Sequence, residues 1–171
     1  MNHRHTFLFA LLALLLGSTA LHGQIAVYAG FSGAPIGGVQ GANWAYGPLV
    51  GVYKQTGHAA STISIGGDLR GSFLTRDNFH YYTGAVGPRL AFKAPILPFR
   101  PYIEGLVGVG NVQHGNGTGS NTNFNYQVLA GLDTTIFPHI DWRMVEFDYS
   151  VVPGQSVNAK IFSTGLVLRI W

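Results

Sequence analysis

The chain has 171 residues with a formal net charge of +3, and only 10% of them are charged, against about 25% in an ordinary soluble domain. Basic residues are few and scattered, which excludes a nucleic-acid groove, and cysteine is absent, which excludes a disulfide framework. So little charge cannot cover a water-soluble exterior, while 24 glycines and 13% aromatic residues indicate a different kind of surface.

The chain opens on a short polar, positive stretch, Met1 to His5, followed by a continuous apolar run from Thr6 to Gly17. Small residues at Ser18 and Ala20 stand three and one positions before a cut, with a second option after Gly23. The run is too short to span a hydrocarbon core comfortably as a helix, so it is expected to be an export signal rather than an anchor. The predicted plan is a signal peptide over 1–23, cleaved after Ala20 or Gly23, and one domain over 24–171. About 150 residues are enough for one domain and too few for two.

The remainder alternates with period two and offers no convincing helix. Strands are predicted over Ala26–Ser32, Ala45–Lys54, Ser61–Phe73 and Tyr81–Lys93, then over Pro101–Val112, Asn123–Thr134, Ile140–Tyr149 and Val157–Ile170. In the third, Ile63, Ile65, Leu69 and Phe73 oppose Thr62, Ser64, Asp68, Arg70 and Ser72. In the fourth, Tyr82, Val86, Leu90 and Phe92 oppose Thr83, Arg89 and Lys93. The fifth sets Ile103, Val107 and Val109 against Glu104, the sixth sets Phe124, Tyr126, Val128 and Leu132 against Asn125, Gln127 and Asp133, and the seventh sets Val145, Phe147 and Tyr149 against Glu146 and Asp148. In the last, Phe162, Leu166, Leu168 and Ile170 share one face. Trp171 falls on the other face with Gly165, Val167 and Arg169. A terminal bulge would turn the indole outward; otherwise the strand ends at Ile170 and Trp171 caps the rim.

Eight strands of roughly 9 to 13 residues are long enough to cross a bilayer at a tilt, and an even number returns both termini to one end. The last strand is left without a partner unless it pairs with the first, which closes the sheet. A soluble sandwich also alternates, but its exterior here would be Gly, Ser and Ala with few charges. The fold predicted is therefore an all-β, eight-stranded antiparallel up-and-down transmembrane β-barrel with apolar faces to lipid. Gly33–Asn43, Leu74–His80, Gln113–Thr122 and Ser150–Ser156 read as the longer loops. Gln55–His58, Ala94–Arg100 and Thr135–His139 read as the tighter turns, at the end that carries the termini.

The inward ionisable set is predicted as Asp68, Arg70, Arg89, Lys93, Glu104, Asp133, Glu146, Asp148 and Arg169, a near balance of charge. Arg70 and Arg89 are expected to bridge to Glu104 and Glu146, in a bore that eight strands leave just wide enough for side chains to fill. Gly66, Gly87, Gly108, Gly110, Gly131 and Gly165 leave room for them. Aromatics form two predicted belts. Phe31, Trp44, Tyr46, Phe73, Phe79, Tyr81, Tyr82, Phe124, Tyr126 and Tyr149 stand toward the longer loops; Tyr53, Phe92, Phe99, Tyr102, Phe137, Trp142 and Trp171 stand toward the turns.

The exported start, the Gly-aromatic strand Tyr102–Gly110, the run Glu146-Phe147-Asp148-Tyr149 and the aromatic ending resemble the small outer-membrane β-barrel family of Gram-negative bacteria. The resemblance is to the OmpA transmembrane domain and OmpX and covers the whole mature chain. It implies residence in the outer membrane, contact with its lipids and lipopolysaccharide, insertion by the outer-membrane assembly machinery, and a structural, adhesive or protective role. Some similar barrels act on lipid A with Ser and His near the outer mouth. Here His80, His114 and Ser120 lie in or beside outer loops, but their separation gives no nucleophile and base in contact. His58, His80, His114 and His139 lack metal-ligand spacing. No catalytic, cofactor-binding or metal-ligating residue is assigned. The expected function is a non-enzymatic structural barrel, with a loop-mediated adhesin or a small porin-like pore as alternatives.

Overall fold

A computed structural model describes residues 23–35, 44–56, 62–77, 79–93, 98–114, 121–155 and 157–170. The apolar run Thr6–Gly17, the cut after Ala20, and Trp171 lie outside the described residues. Eight strands follow in chain order: β1 (Gly23–Pro35), β2 (Trp44–Thr56), β3 (Ile63–Arg76), β4 (Phe79–Phe92), β5 (Phe99–His114), β6 (Asn121–Phe137), β7 (Ile140–Val152) and β8 (Val157–Arg169). A 3-10 turn, Pro153–Gln155, precedes β8. Each strand pairs antiparallel with the next, and β1 pairs with β8 from Ala26 opposite Arg169 to Gly33 opposite Phe162, closing the barrel. Beyond the last ladder pair, the Ile170 amide donates to the Ile25 carbonyl at 2.8 Å. Closure leaves no unpaired edge, which is what a sheet in hydrocarbon requires.

All eight predicted strands are present, and most run further than the sequence reading placed them. The alternation does not stop where Gly, Ser and Asn begin. Residues 74–76 and 79–80, read as loop, are the ends of β3 and β4. The expected loop Leu74–His80 is therefore corrected to the tight connection 77–78, in which Asp77 takes a φ of 32°. A short polar side chain of the Asp or Asn type tolerates that left-handed region better than most. The connections at that end are 36–43, 77–78, 115–120 and 153–156; those at the end with the termini are 57–62, 93–98 and 138–139. Loop length therefore does not separate the two mouths, contrary to expectation.

The predicted faces hold. Leu69 is 54% exposed, Ile103 57%, Val128 59% and Leu166 55%, while Asp68, Arg70, Glu104 and Glu146 are buried. The molecule is inside out relative to a soluble domain, since the exterior is apolar and the ionisable side chains are enclosed. Such a surface is stable in hydrocarbon, and the closed ladder satisfies the backbone there, so the barrel spans a membrane. At the far end Phe31 stacks on Tyr46 and Trp44 on Tyr46, both at 6.1 Å between ring centroids, on the outer surface. Phe92, Phe99, Phe137 and Trp142 are exposed toward the other end. Four residues assigned to the belts are corrected: Tyr53, Tyr81 and Tyr102 are buried and point inward, and Phe79 packs against the buried cluster inside the barrel.

Leu69 flanks the buried Arg70 on the lipid face, near the middle of β3. A Leu69→Arg variant should lose about 2–4 kcal/mol of folding free energy, the cost of a cation on the lipid face near the midplane. Reversible urea unfolding in lipid vesicles measures this loss.

Candidate functional site: the lumen

The lumen is layered along the barrel axis. At the far end Ala34, Ala45, Leu74, Tyr81, Val112, Val152, Ala159 and Ile161 form one buried apolar cluster, with Phe79 packed against it. Beneath this plug lies a neutral polar layer. The Tyr81 and Ser150 hydroxyls are 2.7 Å apart, the Asn125 amide donates to Ser150 at 2.9 Å, and the Gln127 amide donates to Asn125 at 2.9 Å and to Thr83 at 3.2 Å. Ser32 and Ser163 meet at 2.8 Å across the β1–β8 seam.

The ionic layer comes next. Arg70 on β3 grips Glu146 on β7 with two parallel bonds of 3.0 and 2.8 Å. This fork-on-carboxylate geometry is the strongest form of the pair. Arg143 donates to Glu146 at 3.0 Å and to Asp133 at 3.2 Å, and the Tyr102 hydroxyl donates to Glu146 at 2.6 Å. Arg89 is hydrogen-bonded to Glu104 and reaches Asp133 at 3.0 Å. The expected Arg70 and Arg89 bridges to Glu146 and Glu104 are therefore present. Each guanidinium also lies over a tyrosine. Arg89 is 3.7 Å from the Tyr102 centroid and 4.3 Å from that of Tyr53, and Arg143 is 4.1 Å from that of Tyr28. The inward tyrosines thus supply cation–π faces and hydroxyl donors where a purely aliphatic wall would leave buried charge unsupported.

Small residues make room for these rings. A Cβ at Gly51 would overlap the Tyr28 ring, and one at Gly131 would overlap that of Tyr102. The two glycines seat two tyrosines that touch the network.

At the mouth near the termini, Asp141 is paired with Arg100 at 2.5 Å and with Arg169 at 3.1 Å, and Thr135 donates to it at 2.9 Å. Asp141, Arg100 and Arg143 were absent from the predicted inward set. Strict alternation from Glu146 and Asp148 points residues 141 and 143 to lipid. A register shift between Arg143 and Glu146 changes the parity, so both side chains turn inward. A bulge inserts one extra residue and reverses which face follows. The surviving sequence clue is chemical: Arg143 and Asp141 would be costly on a lipid face. Lys93 is corrected in the opposite sense, since it lies beyond the end of β4 and is exposed.

Of the loop residues weighed for chemistry, His80 stacks on Tyr82 at 5.9 Å, with the Tyr82 hydroxyl 3.3 Å from its Nδ1. His114 ends β5, and His139 is exposed in the 138–139 turn with a φ of 68°. Ser120 and His58 lie outside the described residues. Among the described residues no three His, Cys, Asp or Glu side chains are grouped to hold a metal.

No protein-family model matches the chain, and no curated protein matches it in sequence. Solved structures do match. The N-terminal β-barrel domain of Pseudomonas aeruginosa OprF superposes with a TM-score of 0.57 at 13% identity, covering 87% of this chain and all (100%) of that one. Neisserial surface protein A gives a TM-score of 0.56 at 13% identity, covering 86% of this chain and 97% of that one. The fold is that of the small outer-membrane β-barrels. Ail, the attachment invasion locus protein of Yersinia pestis, belongs with them at a TM-score of 0.53 and 18% identity, covering 86% of this chain and 97% of its own. It has also been solved in complex with the heparin analogue sucrose octasulfate. At these identities the likeness is one of fold, and the residues that fill this outer-membrane-type barrel are described from its own contacts.

An Arg143→Met variant strands Glu146 and Asp133 without a shared donor and should destabilise the barrel by about 3–5 kcal/mol, the usual cost of breaking a buried pair from one side. Lys93→Ala, outside the lumen, should change stability by less than about 0.5 kcal/mol. Urea midpoints of the two variants, measured side by side, distinguish the lumenal from the exposed cation.

Proposed function

We propose that the chain is a structural, non-conducting and non-enzymatic barrel of the Gram-negative outer membrane. The observation that carries this reading is the apolar cluster of Ala34, Leu74, Tyr81, Val112, Val152 and Ile161 standing over an interlocked ionic layer. A continuous water path needs polar walls throughout. Here the bore is crossed by side chains that are buried on all sides, as expected at a strand number of eight. The apolar exterior is a solvent-matched surface for outer-membrane lipid and the acyl chains of lipopolysaccharide. Delivery to that membrane implies the outer-membrane assembly machinery as a partner. The non-enzymatic reading is supported by the environment of His80, whose ring is taken up by Tyr82.

The pore alternative is tested in planar bilayers. Purified protein should pass no current above the lipid background, and a protein-dependent current would overturn the plugged reading. Fractionation should place a heat-modifiable band in the outer-membrane fraction.

The domain plan of a signal over 1–23 and a barrel over 24–171 is refined in the same proposal. Gly23 is already paired with Thr56 as the first residue of β1, so a cut after Ala20 leaves the strand whole and one after Gly23 does not. Intact-mass measurement of the mature protein should therefore give an amino terminus at Leu21.

Attachment to a surface ligand through the outer connections is the second reading. It is favoured by the fold shared with Ail, which was captured with a sulfated sugar. Comparing heparin binding by the intact protein and a variant shortened within 115–120 decides it; equal binding removes the adhesive role from that connection.

A further inference from the structure

The centre of the lumen is not electrically balanced. Asp68, Glu104, Asp133, Glu146 and Asp148 surround Arg70, Arg89 and Arg143, and none of these eight residues is more than 3% exposed. Five carboxylates against three guanidiniums is a formal excess of two negative charges. The far end is closed by the apolar cluster and adds no charge. At the other end Arg100 and Arg169 share the single carboxylate of Asp141, which leaves one positive charge there, so the lumen as a whole is one negative charge in excess. Uncompensated charge in a bore without bulk solvent is far more costly than the same charge at a surface.

The contacts identify which carboxylate is in excess. Glu146 is bonded to Arg70 and Arg143, Asp133 to Arg89 and Arg143, and Glu104 to Arg89 through one oxygen. Those three carboxylates account for the three guanidiniums. Asp148 comes no nearer to a cation than 4.0 Å from Arg70, beyond hydrogen-bonding distance. Its Oδ1 has no hydrogen-bond partner although the side chain is only 5% exposed. Glu104 Oε2, likewise without a hydrogen bond, is 4.0 Å from the same guanidinium. Asp68 receives the Tyr28 hydroxyl, a neutral donor, at 2.8 and 3.0 Å from its two oxygens. The charged groups facing Asp148 are Arg70 from β3, Glu104 from β5 and Glu146 from its own strand. Those facing Asp68 are Arg70 on its own strand, Arg89 from β4, Glu104 from β5 and Arg143 from β7, together with the Tyr28 phenol.

We infer that the folded lumen takes up one monovalent cationic charge, at Asp148. Its chemistry is that of a single positive charge on a carboxylate oxygen, carried by a proton or an alkali ion. Asp148 is thus a binding position, whereas Glu146 and Asp133 are fixed anions of the scaffold. The Asp148 Oδ1 that has no partner in the scaffold is filled as a ligand.

Asp148→Asn keeps side-chain size and removes the one excess charge, whereas Glu146→Gln removes an anion the network uses. At neutral pH in lipid vesicles, Asp148→Asn should unfold at a urea concentration equal to or above the wild type, and Glu146→Gln clearly below it. If Asp148→Asn falls as far as Glu146→Gln, the proposal is wrong. Two measurements on the wild type separate the sources. Refolding from urea into weakly buffered detergent should take up about one proton per chain, and none in Asp148→Asn, if protons are the guests. If alkali ions are the guests, sodium chloride should raise the midpoint over choline chloride at equal ionic strength, and Asp148→Asn should lose that rise. Neither proton uptake nor a sodium effect in the wild type overturns the inference.

Discussion

Glu146 is held from three strands at once, by the fork of Arg70 on β3, by Arg143 on its own β7 and by the hydroxyl of Tyr102 on β5. A carboxylate in that position cannot shift without breaking several charge-assisted bonds in a medium where none can be replaced by water. The ionic contacts of the central layer radiate from it, through Arg143 to Asp133 and through Asp133 to Arg89 and Glu104. The network therefore ties β3, β4, β5, β6 and β7 across the bore, where the backbone ladder ties only neighbours.

This arrangement follows from the solvent. In water the apolar residues would collapse inward and the charges would face out. In lipid the exterior must be apolar, so the chain's few charges are confined to the inside and must neutralise one another there. The low charge content and the dense lumenal network are two sides of one constraint. Glycine completes it, since Gly51 and Gly131 leave the space that Tyr28 and Tyr102 occupy.

The layering of the lumen bears on function because each layer treats water differently. The ionic layer orders polar groups, the Ser-Thr-Asn-Gln layer satisfies them without charge, and the apolar cluster at the far end offers no polar surface at all. A bore built in this order is filled by side chains from the apolar cluster to the ionic layer.

Period-two alternation made eight strands, their faces and the closed barrel legible from the sequence, because in a strand side-chain direction depends only on position parity. It identified Asp68, Arg70, Arg89, Glu104, Asp133, Glu146 and Asp148 as lumenal, and it placed Phe162, Leu166, Leu168 and Ile170 on lipid. Parity fails wherever the ladder gains a residue, and the shift between Arg143 and Glu146 is why the sequence did not reveal Arg143 and Asp141 as lumenal. Composition also could not divide the tyrosines, because an amphipathic ring suits a headgroup belt or a cation–π wall equally well. Tyr28, Tyr53, Tyr81 and Tyr102 were drawn inward by partners on other strands. What the sequence by itself determined was the fold and the side of the wall each regular position occupies. Only the tertiary structure decided which charges meet, which glycine seats which ring and which aspartate is left over, because those outcomes depend on distances across the bore that no spacing along one strand encodes.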